Sequence, residues 1–332
     1  MISLINRLVQ IPGPSGYEAH IRQAIQKELE DLAVQIKTDN LGNLIVNQDF
    51  NGKKGKRIML VAHMDEIGIM VKHIDQEGFV RFTTIGGVRP LNCVGGRVKF
   101  LNGVQGVIGS YQMTNPGEAP SIDQLFIDVG ISSREKCPLQ IGDVAVFERP
   151  FLELGERLVS KAMDDRIGVT ILIETLRTLR KSDHQIFYVF STQEEVGVRG
   201  ATAAAFGVQP DLGLAVDVTA TGDTPKGLKM NVRLGQGPAI KIRDSGMLAD
   251  PRIIDWMEKA AQNLSMPHQR EILDRGGTDA RAIQLSRSGV PAGCLSIPCR
   301  YVHSPSEMVD INDVRNAVQF LVELLSNPIT LN

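Results

Sequence analysis

The first part of the chain alternates between helical and strand-like spacing of its hydrophobic residues. Apolar residues recur at helical spacing at positions 21, 25, 29 and 32, after Ser15-Gly-Tyr-Glu18, which has the Ser-x-x-Glu form of a capping box. Short apolar runs follow at residues 44–46 and 58–62, and such runs are typical of strands that are covered on both faces. The pattern predicts an amphipathic helix followed by two buried strands.

The same alternation returns after residue 160. Three segments have helical spacing. The first covers residues 167–179, the second begins at the N-cap pair Asp250-Pro251, and the third covers residues 312–325. Strand-like apolar runs lie at residues 186–190, 212–216 and 294–297. Strands that alternate with helices predict an α/β fold with a largely parallel sheet.

The segment between about residues 68 and 155 has a different pattern of glycine and apolar residues. Glycines recur every few residues, stretches such as Val80-Arg-Phe-Thr-Thr-Ile85 alternate apolar with polar positions, and no helical spacing is present. Because the α/β pattern stops before this segment and resumes after it, we predict a small all-β barrel inserted into an α/β domain. The predicted boundaries are residues 1–66 and 160–332 for the α/β domain and 67–159 for the insert.

Composition and charge narrow the possible partners. The 36 Lys and Arg residues nearly balance the 38 Asp and Glu residues, and no basic run offers a track for phosphates, so we expect no nucleic-acid partner. The longest apolar runs have about five residues, far fewer than the roughly 20 that span a bilayer, so we expect no membrane association. Residues 1–10 lack the continuous apolar stretch of a signal peptide, which predicts a cytoplasmic protein.

The four cysteines predict neither a disulfide framework nor a metal site. They contain no Cys-x-x-Cys pair, and four cysteines in a chain of 332 residues are too few for a disulfide scaffold. We therefore expect all four to be reduced packing residues.

Histidine and acidic residues follow the predicted strands. Three predicted strands are followed by such residues, namely His63, the pair Glu194-Glu195, and Asp217. Ligands in parallel α/β sheets bind outside the carboxyl ends of the strands, so these side chains should gather at one edge. Asp164, just before a predicted helix, and His303, six residues after a strand-like run, belong at the same edge.

This set of side chains predicts a metal site. Two histidines and three carboxylates suit zinc or cobalt(II), and one carboxylate can bridge two ions about 3.5–4 Å apart. A spare acidic residue would then be free to move protons. Asp65 lies two residues after His63, where its carboxylate could accept the other imidazole N–H, although an Asp in a surface loop would also fit this position.

Five ordered motifs carry a resemblance to a known family. They are Ala62-His-Met-Asp-Glu-Ile-Gly68, Lys161-Ala-Met-Asp-Asp-Arg-Ile-Gly168, Gln193-Glu-Glu-Val-Gly197, Asp217-Val-Thr219 and Tyr301-Val-His-Ser-Pro305. Together they resemble the M42 family of aminopeptidases, from Pro12-Gly-Pro-Ser-Gly16 to the final helix. The resemblance implies a di-metal exopeptidase-like α/β catalytic domain with an inserted all-β domain that joins subunits.

The resemblance also implies a role for each metal ligand. Asp164 would bridge two divalent ions, Zn²⁺ or Co²⁺. His63 and Asp217 would complete one site, and Glu195 and His303 would complete the other.

The general base and the partners follow from the same resemblance. Glu194 would be the general base, while Asp65 is the second catalytic candidate because of its position beside His63. Peptides with a free N-terminus would be the substrates, and subunits would self-associate from dimers into dodecamers. The loop Gly276-Gly-Thr-Asp279 resembles a substrate-side loop of the family, but Thr278 and Asp279 could equally cap the helix that follows.

Three other functions remain as alternatives at this stage. Di-metal carboxypeptidases and amide deacylases use a similar set of ligands, but their inserted domain has helical spacing, which this insert lacks. A glycosidase needs two carboxyl groups about 5–10 Å apart and leaves His63 and His303 unexplained. A non-catalytic assembly protein is disfavoured because every expected ligand is present.

Overall fold

The computed structural model describes residues 1–50, 55–112, 119–329 and 331. Its helices are α1 (Ile2–Gln10), α2 (Ala19–Glu28), α3 (Met163–Thr178), α4 (Arg199–Val208), α5 (Pro251–Asn263), α6 (Ala280–Gln284) and α7 (Ile311–Ser326). The strands in the first half are β1 (Gln35–Thr38), β2 (Leu44–Asp49), β3 (Arg57–His63), β4 (Gly68–Ile74), β5 (Val80–Ile85), β6 (Arg97–Phe100), β7 (Gln105–Ser110), β8 (Leu125–Asp128) and β9 (Val144–Glu148). Those in the second half are β10 (Leu152–Leu154), β11 (Arg157–Ser160), β12 (Gln185–Ser191), β13 (Leu212–Thr219), β14 (Ala239–Arg243), β15 (Gln269–Ile272), β16 (Ala292–Arg300) and β17 (Glu307–Asp310).

A mixed sheet is the centre of the larger domain. Within the described residues it has eleven strands, nine of them in the order β1-β2-β12-β3-β13-β16-β17-β11-β10, while β14 and β15 branch from β16. The central strands β12, β3, β13 and β16 run parallel to one another. The predicted α/β class is confirmed, and the parallel strands end at one edge.

Both faces of the sheet are covered, which explains why the central strands read as continuous apolar runs. In β3, Ile58 and Leu60 pack in the core beneath α1, α3, α5 and α7, while Met59 and Val61 pack on the opposite face beneath α4 and α6. Successive side chains of a strand point to opposite faces, so a strand between two helical layers needs apolar residues at every position. Among the helices of the described chain, none combines the length and apolarity that a membrane crossing requires.

The middle segment forms a closed antiparallel barrel in the strand order β4-β5-β8-β7-β6-β9. It has its own core, which includes Phe82, Phe100 and Ile127. The predicted all-β barrel is therefore confirmed, although residues 113–118 of the insert lie outside the described part of the chain. Strand β10 and all but the last residue of β11 fall inside the predicted range 67–159, but both join the large sheet through β17, so the boundary that we propose lies near Glu148.

The cysteines match their prediction. All four are free, and Cys93, Cys294 and Cys299 are buried as packing residues.

The two predicted helix caps have different outcomes. Asp250 caps α5, since its carboxylate accepts the backbone N–H of Arg252. The capping box at Ser15 and Glu18 is wrong, because α2 begins only at Ala19 and neither side chain caps it. Ser15 instead donates to the carboxylate of Asp65 at 2.6 Å, where a buried anion requires a donor.

Candidate metal centre

The predicted ligands meet at the carboxyl edge of the parallel strands. His63 is the last residue of β3 and lies beside Ser191, the last residue of β12. The chain turns after Ser191 and presents Glu194 and Glu195. Asp217 lies within β13, which extends to Thr219, so this strand is longer than the sequence predicted.

Asp164 and His303 reach the same edge from connecting segments. Asp164 and Asp165 have non-helical backbone angles at the start of α3, so both carboxylates lie at a break before the regular helix. His303 lies in the loop between β16 and β17 and has a left-handed backbone, with a φ of 62°.

One group of possible metal ligands consists of His63, Asp164 and Asp217. One ligand atom from each lies within 4.8 Å of the others, and all three residues are buried. The Nε2 atom of His63 is 3.0 Å from Oδ1 of Asp164 and 3.9 Å from Oδ1 of Asp217. Three donors are therefore directed into one small space.

A second group consists of Asp164, Glu195 and His303. The Nε2 atom of His303 is 3.4 Å from Oδ2 of Asp164 and 3.2 Å from Oε2 of Glu195. Asp164 thus belongs to both groups, with one carboxylate oxygen directed at each histidine. The sequence prediction named these five residues, and the structure brings all five together.

The electrostatics of the two groups favour a bound cation. Burial raises the pKa of Asp217 to about 8, and burial also raises that of Glu195, because ionised carboxylates are crowded in a space with little water. Burial opposes the charging of His303, yet its hydrogen bonds with Asp164 and Glu195 raise its pKa to about 11. A positive charge beside these carboxylates is therefore favourable.

Divalent ions would supply the same charge and leave the histidines as neutral ligands. The Oε1 atom of Glu195 is buried and has no hydrogen-bond partner within the described part of the chain, as a ligand atom would. Mixed imidazole and carboxylate donors also suit zinc or cobalt(II). The residues present therefore fit two metal ions.

Glu194 lies beside the first group without belonging to either. Its Oε2 atom is 4.0 Å from Nε2 of His63, and its side chain is 13% exposed, so the residue is not fully closed off from solvent. Burial raises its pKa well above the ordinary value. The neighbouring carboxylates of Glu194 and Glu195 are thus directed to different places.

Asp65 is completely buried, so the surface-loop alternative for this residue is wrong. Its carboxylate accepts the backbone N–H groups of Glu194 at 3.0 Å and of Glu195 at 3.2 Å. The Nδ1 atom of His63 lies 3.2 Å from the backbone oxygen of Asp65 and 3.5 Å from its carboxylate. Asp65 therefore contacts the imidazole chiefly through its backbone, while its carboxylate fixes the Glu194-Glu195 turn.

Glu307 is a functional candidate that sequence reasoning missed. It is 2% exposed, and its two carboxylate oxygens accept the backbone N–H of Asp164 at 3.0 Å and that of His303 at 2.8 Å. One side chain therefore holds the backbone of two possible ligands. Its position four residues after His303 was the available signal, but it lies within a short strand where an acidic residue has no distinctive pattern.

The loop before α6 contributes one more buried carboxylate. Thr278 accepts the backbone N–H of Ala280, which is a local cap. Asp279 does not cap the helix, since its Oδ2 accepts from Ser191 and its Oδ1 is buried with no hydrogen-bond partner among residues that the structure describes. Burial raises the pKa of Asp279 to about 6. This free oxygen adds negative charge close to the two groups.

Comparisons with known proteins agree with the fold and with the family resemblance. The model of the M42 glutamyl aminopeptidase family matches residues 42–320. The chain is 37% identical to the lysyl aminopeptidase of Pyrococcus furiosus over 338 residues, covering 97% of this chain and 96% of that protein.

Two solved structures are also similar. The aminopeptidase APDkam598 of Desulfurococcus kamchatkensis superposes with a TM-score of 0.94 at 38% identity, covering 99% of this chain and 95% of that one. The TET1 peptidase of Pyrococcus horikoshii, which can assemble into a tetrahedron or a large octahedral shell, superposes with a TM-score of 0.89 at 32% identity, covering 98% and 99%. The chain therefore belongs to the M42 glutamyl aminopeptidase family, and it is an aminopeptidase.

Proposed function

We propose that this aminopeptidase holds two divalent metal ions per subunit, zinc or cobalt(II), and releases N-terminal residues from peptides with Glu194 as general base. The observation that carries the proposal is the shared carboxylate of Asp164, whose two oxygens are directed at His63 and His303. A carboxylate in this position suits a pair of neighbouring cations.

The ligands divide between two ions. Asp164 would bridge the pair, His63 and Asp217 would complete one site, and Glu195 and His303 would complete the other. When bound, the ions would lower the pKa of the attacking water and stabilise negative charge on the carbonyl oxygen of the scissile bond.

We assign the transfer of protons during hydrolysis to Glu194. Its carboxylate takes a proton from the attacking water and delivers it to the amine that leaves. Asp65 supports this step by holding the backbone N–H of Glu194, so that the base keeps its place beside the first group. Glu195, held by the same carboxylate, points to His303 instead.

The surroundings suit a positively charged substrate terminus. Asp164, Asp217 and Asp279 are buried, and the Oδ1 atom of Asp279, which has no hydrogen-bond partner among the described residues, adds a further negative atom. Low-dielectric walls strengthen the attraction of such a cleft for a cation. An α-ammonium group satisfies this field, whereas a blocked terminus does not, and this difference restricts cleavage to the N-terminal residue.

Acetylation of the substrate tests this proposal. We expect acetylation of the N-terminal amine of a good peptide substrate to abolish measurable turnover, because the positive charge that anchors the terminus is lost. Mass spectrometry of the free peptide should show stepwise shortening from the N-terminus alone.

The control is the same peptide with its C-terminal carboxyl group amidated, which should be cleaved at a near-normal rate. Trimming from the C-terminus, or equal rates for free and acetylated peptides, would favour the carboxypeptidase or deacylase alternative. Cleavage of a cellulose substrate would favour the glycosidase.

We also propose that the chain forms homo-oligomers, between a dimer and a dodecamer, through the barrel. The barrel exposes large apolar side chains, among them Leu91 and Ile141, which are 66% and 65% exposed. Contiguous exposed apolar surface marks contacts between proteins, so these side chains are candidates for a subunit interface.

Native mass spectrometry should therefore give a mass of at least two subunits, and replacing the insert with a short linker should give smaller species. A monomer of the intact chain at micromolar concentration contradicts the assembly but leaves the hydrolytic proposal standing.

A further inference from the structure

The insert lies against the metal centre at the pair Gly86-Gly87, which follows β5. A Cβ atom on Gly86 would come within 2.9 Å of Oε2 of Glu195. A Cβ atom on Gly87 would come within 2.6 Å of Cε1 of the His303 ring, and closer still to Nδ1. The backbone of the barrel therefore passes directly against both side chains that belong to the second group alone.

Gly87 is not required there by its own backbone. It is absent from the described glycines with a left-handed φ, so a left-handed backbone does not exclude an alanine at this position. The His303 ring is the obstacle to a side chain at this position. Ring atoms do not yield as the end of a flexible chain would, so a methyl group at residue 87 must displace the imidazole.

A second contact from the barrel holds the backbone of His303. The side-chain Nδ2 of Asn92 donates to the backbone oxygen of His303 at 3.3 Å. On the other side, Glu307 accepts the backbone N–H of His303 at 2.8 Å. His303 therefore has both of its backbone polar groups bound by side chains from two different domains.

These contacts offset an unfavourable backbone. His303 has a left-handed φ of 62°, which is uncommon outside glycine and persists where the surroundings fix it. Its side chain is 30% exposed, so burial alone does not fix the ring. The position of the ring therefore depends on the backbone at Gly87, which packs against it, and on the hydrogen bonds of the His303 backbone.

We propose that Gly87 and Asn92 of the insert are positioning residues that seat His303 in the second metal group, so that the barrel completes the metal centre as well as folding beside it. The proposal rests on the proposed two-metal function. It predicts that substitutions at this contact weaken the binding of one of the two ions. Binding of the other ion by His63, Asp164 and Asp217 should be retained.

The test compares Gly87→Ala and Asn92→Ala with Gly106→Ala. Gly106 is a matched control, because it also lies in the barrel without a left-handed φ and its added Cβ would overlap Ile127, away from the metal groups. Each metal-free protein is titrated with Co²⁺ while heat and the visible absorption of the bound ion are followed. The absorption reports the ligand geometry, which a loss of stability alone would not change.

We expect the wild type and Gly106→Ala to bind two Co²⁺ ions per subunit with the same absorption spectrum. Gly87→Ala and Asn92→Ala should bind one ion as in the wild type and the other about 10–100-fold more weakly, as is typical when a contact that orients a ligand is lost. The spectrum of the weaker ion should change because its histidine is displaced.

Two results would contradict the positioning role. If both variants bind two ions as the wild type does, Gly87 and Asn92 do not position His303. If Gly106→Ala weakens the binding of the same ion to the same extent, the effect comes from a general disturbance of the barrel. If Gly87→Ala does not fold, Asn92→Ala decides alone. A wild type that binds fewer than two ions refutes the two-metal function, and this proposal falls with it.

Discussion

Replacing Glu194 with glutamine is expected to lower kcat by roughly 10²–10⁴-fold while both metal ions stay bound. The change preserves the size of the side chain but removes the oxygen that would accept a proton. Glu194 belongs to neither ligand group, and its backbone N–H stays bound to Asp65. Steady-state kinetics and metal analysis of the purified variant measure the two effects separately.

Glu195→Gln is the matched comparison, since the same substitution is made one residue later. Glu195 lies 3.2 Å from Nε2 of His303 in the second group, so loss of its charge should lower metal occupancy first. Excess Zn²⁺ or Co²⁺ should then restore part of the activity of Glu195→Gln, and it should not restore Glu194→Gln.

The reverse pattern, with metal lost from Glu194→Gln and retained by Glu195→Gln, would show that the two roles are exchanged. Full activity in both variants would mean that the site lies elsewhere.

Asp164→Asn is expected to have the second large effect, because Asp164 alone is shared by both groups. An amide keeps the shape of the side chain but has one carbonyl oxygen and no charge, so it cannot serve two cations. We expect weaker binding of both ions and a fall in kcat/KM of about 10³-fold or more, since a metal ion contributes several kcal/mol of charge stabilisation.

The neighbouring residue provides the control. Asp165 is equally buried but belongs to neither group, and its Oδ1 accepts the backbone N–H of Gly168 at the start of the regular helix. Asp165→Asn keeps an oxygen for that bond, so it should retain both ions and most of the activity. If Asp164→Asn binds two ions as tightly as the wild type, the shared-carboxylate proposal is wrong.

The sequence by itself determined the fold class and the edge at which the site lies. Continuous apolar runs predicted the central strands, because a strand covered on both faces needs apolar residues at every position. Alternating spacing and recurrent glycines predicted the barrel. The strand-end rule then placed His63, Glu194 and Asp217 together, since the carboxyl ends of parallel strands meet at one edge.

The roles of some polar residues were decided by tertiary contacts. Ser15 and Glu18 have the local form of a capping box, yet they bind Asp65 and the backbone of Gly16 and Gln193 instead. The side chains of a local motif can form hydrogen bonds with several alternative partners. A buried carboxylate from a distant segment can be the preferred partner, because an unpaired charge is costly to bury.

The support of His303 likewise depended on the folded structure. Gly87, Asn92 and Glu307 come from segments up to about 220 residues apart along the chain, so no period or spacing in the sequence links them. Hydrophobic periodicity reports how each element faces the core, and it therefore predicts elements and edges. Which backbone passes beneath a given side chain depends on how two separately folded cores come together, and only the tertiary structure decides that.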